Sequence, residues 1–199
     1  MTTAALIVAA GMSSRMGDFK PMLNIGSISI AQRVVATFQQ AGVDKIVMVT
    51  GYNAIALERH LTGNGIIFLR NEEFQTTPMF TSVCIGLNYL KDKCDRVLFT
   101  PVDIPLFTAA TVQTLLESDA RLASPVCEGE IGHPTLIASG LIDSTWRMTA
   151  ARGCAARWSA VGNPWRRSRW RTRACSTTRT RRRITGPCWP TTTSSWFVR

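Results

Sequence analysis

The 199-residue sequence lacks any apolar run of membrane-spanning length, any C-x-x-C pair and any Cys/His cluster of zinc spacing. The longest apolar stretch near the start, residues 4–10, is far short of the roughly 20 residues that a bilayer crossing needs. A basic segment before that stretch is also missing, since the first basic residue is Arg15. The secretory-leader pattern is therefore excluded, and the chain is expected to be cytoplasmic with no membrane partner. In that compartment Cys84, Cys94 and Cys127 are expected to be reduced thiols.

A second set of absences divides the chain. No acidic residue follows Asp143, no lysine follows Lys93, and no tryptophan precedes Trp146. Residues 1–145 hold ten basic and thirteen acidic side chains, a net charge of −3, whereas residues 146–199 hold thirteen Arg and no acid, a net charge of +13. The formal charge of +10 would by itself point to nucleic acid, but it belongs entirely to the second segment. Two units follow: a domain over 1–145 and an Arg/Trp-rich tail over 146–199.

Within 1–145, short apolar runs alternate with stretches of helical period, which predicts an α/β domain of three layers around a mostly parallel sheet. Strands are expected at 4–9, 45–50, 66–70, 96–99, 122–126 and 134–138, and helices at 30–41, 53–60, 79–90 and 109–117. Gly42 should close the first helix, Asn53 cap the second and Thr108 cap the fourth. In such sheets ligands lie beyond the carboxyl ends of the strands. The residues after positions 9, 50, 70 and 99 are therefore where function is sought.

After the first strand comes Ala9-Ala10-Gly11-Met12-Ser13-Ser14-Arg15-Met16-Gly17-Asp18-Phe19-Lys20-Pro21. Glycine allows backbone N–H groups to turn toward a phosphate, and Arg15 and Lys20 supply charge to neutralise it. The spacing matches neither G-x-x-x-x-G-K-[ST] nor G-x-G-x-x-G, which removes support for a P-loop NTPase and a dinucleotide dehydrogenase. Asp103 follows the fourth strand in FTPVDIPLF, where a carboxylate can hold Mg²⁺ against nucleotide phosphates.

The string VAAGMSSRMGDFKPML resembles the signature L-x-A-G-G/A-x-S-x-R-M-G-x-x-K of MobA-like nucleotidyltransferases. Further similarities follow in order at 47–51 (VMVTG), Arg70-Asn71, 79–83 (MFTSV), 101–106 (PVDIPL) and Gly132-His133-Pro134. The resemblance implies a Rossmann-like fold of the nucleotide-diphospho-sugar transferase type. It implies that Ala9, Ala10, Gly11, Ser13, Ser14, Arg15, Lys20, Asn71 and Ser82 bind the nucleotide, and that Met79 and His133 meet the acceptor. Arg15, Lys20 and Asp103 would be catalytic, with Asp103 the ligand for Mg²⁺. The implied reaction moves CMP from CTP, or GMP from GTP, to a phosphate acceptor such as molybdopterin. The sequence VAAG resembles the CTP-using members, because the GTP-using ones tend to carry a second Gly at the position of Ala10. A sugar-phosphate or phosphocholine nucleotidyltransferase is the alternative within the class. A nucleic-acid-binding protein working through the basic tail is the alternative outside it, and no specific nucleic acid is expected for the leading reading.

The resemblance stops near Ile142, where the family would continue to a closing D-x-D-T-P-E-D segment carrying a second metal carboxylate. Shifting the tail's reading frame restores that segment. Cys188-Trp189 can then encode only Leu, Trp189-Pro190 only Ala, and Trp196-Phe197 only Val, and wobble choices elsewhere turn residues 178–190 into ADTPEDYRALLA. The tail is accordingly expected to be non-native, poorly packed and damaging to activity, since thirteen Arg without one acid cannot form a core. Sequencing the encoding DNA across codons 138–155 is expected to find one insertion or deletion whose reversal opens a frame ending in D-x-D-T-P; no such change would refute the shifted frame.

Overall fold

The first strand, β1 (Thr3–Ala9), buries six consecutive residues, Ala4 to Ala9, and the rest of the domain is arranged around it. The computed structural model describes residues 1–11, 19–43, 45–127 and 130–142. Ser13, Ser14, Arg15 and the tail 146–199 lie outside the described residues. After a 3₁₀ turn, Lys20–Met22, come a small hairpin, β2 (Asn24–Ile25) and β3 (Ile28–Ser29), and the helix α1 (Ile30–Gln40). The chain then alternates through β4 (Lys45–Thr50), α2 (Ala54–His60), β5 (Ile66–Arg70), α3 (Met79–Leu90), β6 (Arg96–Pro101) and α4 (Ala109–Glu117). Four short strands follow: β7 (Leu122–Ala123), β8 (Val126–Cys127), β9 (Glu130–Ile131) and β10 (Thr135–Ala138).

The main sheet has the order β5-β4-β1-β6-β10-β7. Strands β5, β4, β1 and β6 run parallel, and β10 is antiparallel to both β6 and β7. The two faces of β1 separate two cores. Ala5, Ile7 and Ala9 join α1, α2 and α4 on one side, while Ala4, Leu6 and Val8 join α3 on the other. Three layers, α/β/α, result, as the alternating pattern predicts.

Local signals explain the element boundaries. Ser29 Oγ accepts from Gln32 N and Gln32 Oε1 accepts from Ser29 N, a reciprocal cap that starts α1. Gly42, at φ +83°, turns the chain away after α1. Thr108 Oγ1 accepts from Thr111 N and starts α4 as expected, and Arg96 closes that helix by donating to the carbonyls of Leu116 and Ser118.

Three expectations are corrected. Asn53 stands before α2 in the left-handed region, φ 54°, and its side chain makes no capping bond. The strand predicted over 122–126 is two strands, β7 and β8, in different sheets. Pro125 between them has no N–H to donate, and its carbonyl instead accepts from Gly132 N. Cys127 is disulfide-bonded, while Cys84 and Cys94 are buried thiols. Cys127 is half-buried on the short hairpin of β8 and β9.

Helix α3 approaches β1 closely at Gly86, where a Cβ would stand 2.9 Å from Leu6 Cδ2 and 3.1 Å from Leu6 Cγ. Leu6 is fully buried, so its side chain has little room to give. Alanine would gain about 1 kcal/mol of helix propensity, against about 1–3 kcal/mol for overpacking. Gly86→Ala is expected to lower the thermal midpoint by a few degrees. Combining it with Leu6→Ala should cost clearly less than the sum of the two single changes, and additive losses in thermal melts would refute the contact.

Candidate active site

The parallel pairing brings four strand ends to one edge. Ala9 stands opposite Thr50, Thr50 opposite Arg70, and Val8 opposite Pro101. Backbone bonds continue the register beyond the strands: Tyr52 N donates to Ala10 O at 3.3 Å, Asn71 N to Thr50 O at 2.8 Å, and Val102 N to Val8 O at 3.0 Å. Ala9, Ala10, Gly51, Asn71 and Asp103 thus share the edge where the chain switches from strand to loop. Gly51 is required there, because a Cβ would lie 2.8 Å from Ala10 O and 2.8 Å from Phe74 Cβ.

Ala9 and Ala10 are buried and Gly11 is exposed, so the chain leaves the core at the start of the glycine-rich segment. That segment is described again from Phe19, whose ring meets Tyr52 edge-on at 5.7 Å between centroids. Lys20 follows in the 3₁₀ turn, with its carbonyl bonded to Leu23 N. It is half-buried and takes no ion pair among the described residues.

Asp103 is exposed beyond β6. His133 comes to the same end because β10 runs antiparallel to β6 with Thr135 opposite Phe99. His133 Nδ1 is 3.4 Å from Phe99 O, and the imidazole stands edge-on to the Phe99 ring at 5.6 Å. Burial pushes the His133 pKa below 6.5, against weaker opposing contributions from the Phe99 carbonyl and the Asp103 charge. Burial thus disfavours the imidazolium form of His133, whose ring nitrogens can still exchange hydrogen bonds.

Asn71 and Ser82 are brought together, but not as exposed ligand contacts. Asn71 is only 4% exposed. Its Nδ2 donates to Ser82 Oγ at 3.0 Å and Thr77 Oγ1 at 3.1 Å, and its Oδ1 accepts from Glu73 N at 3.1 Å. Both amide hydrogens and the carbonyl oxygen are used in tying β5, the loop 71–78 and the start of α3 together. Met79, at the head of α3, is 59% exposed, which places it at the surface rather than in the core.

Sequence reasoning passed over the groups that hold the strand ends. Glu58 accepts from Arg70 Nε at 2.9 Å, Arg70 Nη2 at 2.6 Å and Thr50 Oγ1 at 3.0 Å. One carboxylate thus clamps the carboxyl ends of β4 and β5. Its pKa lies below the ordinary carboxylate value, chiefly through the Arg70 hydrogen bonds and despite some burial. The available signal was a helix-borne acid one turn into α2, but it pairs with Arg70 only after the chain folds.

Among the described residues there is no cluster of three or more His, Cys, Asp or Glu that could hold a metal ion. Asp103 fits the other arrangement, in which Mg²⁺ takes one or two carboxylate oxygens and completes its shell with substrate phosphates and water. Its carboxylate is exposed and takes no ion pair among the described residues.

Known proteins resemble the chain at the levels of sequence and fold. The sequence pattern of the MobA-like NTP transferase domain matches residues 5–166. The bifunctional protein GlmU of Carboxydothermus hydrogenoformans is 29% identical over 114 residues, covering 56% of this chain and 24% of that protein. This chain therefore spans about a quarter of the curated relative's length. A nucleotidyl transferase from Methanothermobacter thermautotroptrophicus superposes with a TM-score of 0.65 at 24% identity, covering 73% of this chain and 76% of the other. Rv0371c from Mycobacterium tuberculosis H37Rv superposes with a TM-score of 0.68 at 18% identity, covering 81% and 82%. A complex of Rv0371C with manganese has a TM-score of 0.62 at 16% identity, covering 72% and 74%. No helix among the described residues is long and apolar enough to cross a membrane.

The Glu58 clamp generates a pH prediction. A carboxylate whose folded pKa is depressed adds stability above its unfolded value of 4.5, and that stability fades as pH falls through the folded pKa. With Arg70 half exposed, the contribution should stay below about 1 kcal/mol. Glu58→Gln is expected to melt lower than the wild type at pH 7 and equally at low pH; a gap that persists below the folded pKa would refute the clamp.

Proposed function

This chain belongs to the MobA-like NTP transferase family, and from that membership we propose that it is a nucleotidyltransferase moving CMP from CTP to a phosphate acceptor, with molybdopterin the favoured acceptor. The observation that carries the reading is the meeting of Ala9, Ala10, Asp103 and His133 at one sheet edge, directly beside a segment with two Gly, Arg15 and Lys20. CTP is favoured over GTP by the VAAG sequence, in which Ala10 fills the position where the GTP-using relatives tend to have glycine.

The chemistry needs positioning and charge more than proton transfer. An acceptor phosphate oxygen attacks the α-phosphorus in line, the bond from that phosphorus to the bridging oxygen breaks, and pyrophosphate leaves with the electron pair. The acceptor oxygen is already ionised at neutral pH, so no general base is required. Arg15 and Lys20 neutralise the triphosphate, and backbone N–H groups of residues 10–11 orient it. Asp103 would hold Mg²⁺, which when bound supplies further neutralisation of phosphate charge. The manganese complex of a fold relative supports a divalent ion in this architecture. His133 would orient the acceptor by hydrogen bonding.

Residues 146–199 are proposed to be a shifted frame. The composition break after residue 145 supports this reading, although the family match runs past it to residue 166; loss of the closing acidic segment would remove the second metal carboxylate and depress turnover. Binding is therefore the informative readout. Calorimetric titration of the full chain with CTP and Mg²⁺ is expected to show binding that Lys20→Ala and Asp103→Asn each weaken by about tenfold. EDTA should weaken the wild type and have little further effect on Asp103→Asn. Unchanged affinity in both variants, or tighter binding of GTP than CTP, would refute the corresponding assignment.

A further inference from the structure

Three aromatic side chains from three different loops converge at the active edge, and the reaction described above employs none of them. Phe19 ends the glycine-rich segment, Tyr52 lies in the turn after β4, and Phe74 lies in the loop after β5. Tyr52 is central, with its ring 5.7 Å from Phe19 at an interplanar angle of 70° and 6.2 Å from Phe74 at 60°. Its backbone N–H donates to Ala10 O, which places it beside the residue that opens the nucleotide segment. The side chain is nevertheless 42% exposed.

The supports on either side are fixed. Phe74 Cβ stands where a Cβ on Gly51 would meet it at 2.8 Å, and its loop is tied down by the buried Asn71 amide. Phe19 O accepts from Met22 N in the 3₁₀ turn that carries Lys20. Tyr52 is thus a partly exposed ring restrained by one T-shaped and one tilted aromatic contact. Such a ring loses little conformational freedom on binding and has a π-face that stacks on any planar heterocycle.

We propose that Tyr52, braced by Phe19 and Phe74, is the stacking platform for a planar heteroaromatic ring of the ligand held at this edge, and so a specificity-determining residue. The inference rests on the nucleotidyltransferase reading, which supplies two sources of such a ring: the nucleobase and a pterin acceptor. The triphosphate contacts do not involve Tyr52, so ring binding and phosphate binding are separable.

The test uses the full chain with Mg²⁺ and three probes: CTP, inorganic tripolyphosphate and pterin. Tyr52→Ala is expected to weaken either CTP or pterin by about tenfold while leaving tripolyphosphate affinity unchanged, and Tyr52→Phe should preserve the wild-type values. Loss confined to CTP identifies the nucleobase as the stacked ring, and loss confined to pterin identifies the acceptor. Equal weakening of tripolyphosphate would show that Tyr52 only props the loops, and unchanged affinity for both ring-bearing probes would show that nothing stacks there. Loss in Tyr52→Phe equal to that in Tyr52→Ala would assign the effect to the hydroxyl. Each of these three results overturns the proposal. A wild type that binds neither nucleotide nor tripolyphosphate would instead overturn the nucleotidyltransferase reading itself, and the platform with it.

Discussion

Hydrogen bonding of β1 on both sides is the constraint from which the rest of the structure follows. Residues 4–9 pair in parallel with β4, and residues 3–8 pair in parallel with β6, while both faces of the strand are covered by helices. A one-residue slip would exchange Ala5, Ile7 and Ala9 with Ala4, Leu6 and Val8 between two differently shaped cores. The alternation also requires small groups at particular places, since α3 approaches Leu6 through the bare backbone of Gly86. Register, core packing and the level at which the strands end are therefore set together. The site is the set of loops released at that level.

Those loops are held by a few polar side chains, and this separates binding groups from positioning groups. Leaving a buried amide unpaired costs about 1–3 kcal/mol, so Asn71 remains with Ser82, Thr77 and Glu73 rather than turning outward. Its contribution is to hold the loop bearing Phe74 and the start of α3. Glu58 does similar work for Thr50 and Arg70. Asp103, Lys20 and Tyr52 have no such obligation among the described residues, and each is at least partly open to solvent. The division between engaged and available side chains supports the proposed binding edge.

Much of the fold was legible because local signals agreed with the global pattern. Strands β4 and β5 and helices α3 and α4 occupy the residues that apolar period and turn residues indicate, and Thr108 caps as its position suggests. The reading failed where the outcome depended on long-range pairing. Nothing near residues 122–127 shows that Ser124 will bond Thr135 and that the chain will change sheets at Pro125. Asn53 has the composition of a cap but a backbone conformation that prevents it. The edge location of Ala9, Ala10, Asp103 and His133 was legible from motif order, whereas the inward turn of Asn71 and the meeting of three aromatic rings depend on loops brought together only by the sheet.

Electrostatics at the edge must be local. Residues 1–145 carry a net charge of −3, which gives no general attraction for a polyanionic nucleotide. A diffuse positive field would in any case lower the energy of every bound anion alike, before and after reaction, and so would not favour the transition state. For the proposed reaction, selective stabilisation would require cations and N–H groups fixed where negative charge moves from the attacking acceptor oxygen to the departing pyrophosphate. Burial disfavours the charged form of His133. On the proposed reading, Lys20, Arg15 and an ion on Asp103 would supply that positive charge, and His133 would orient the acceptor.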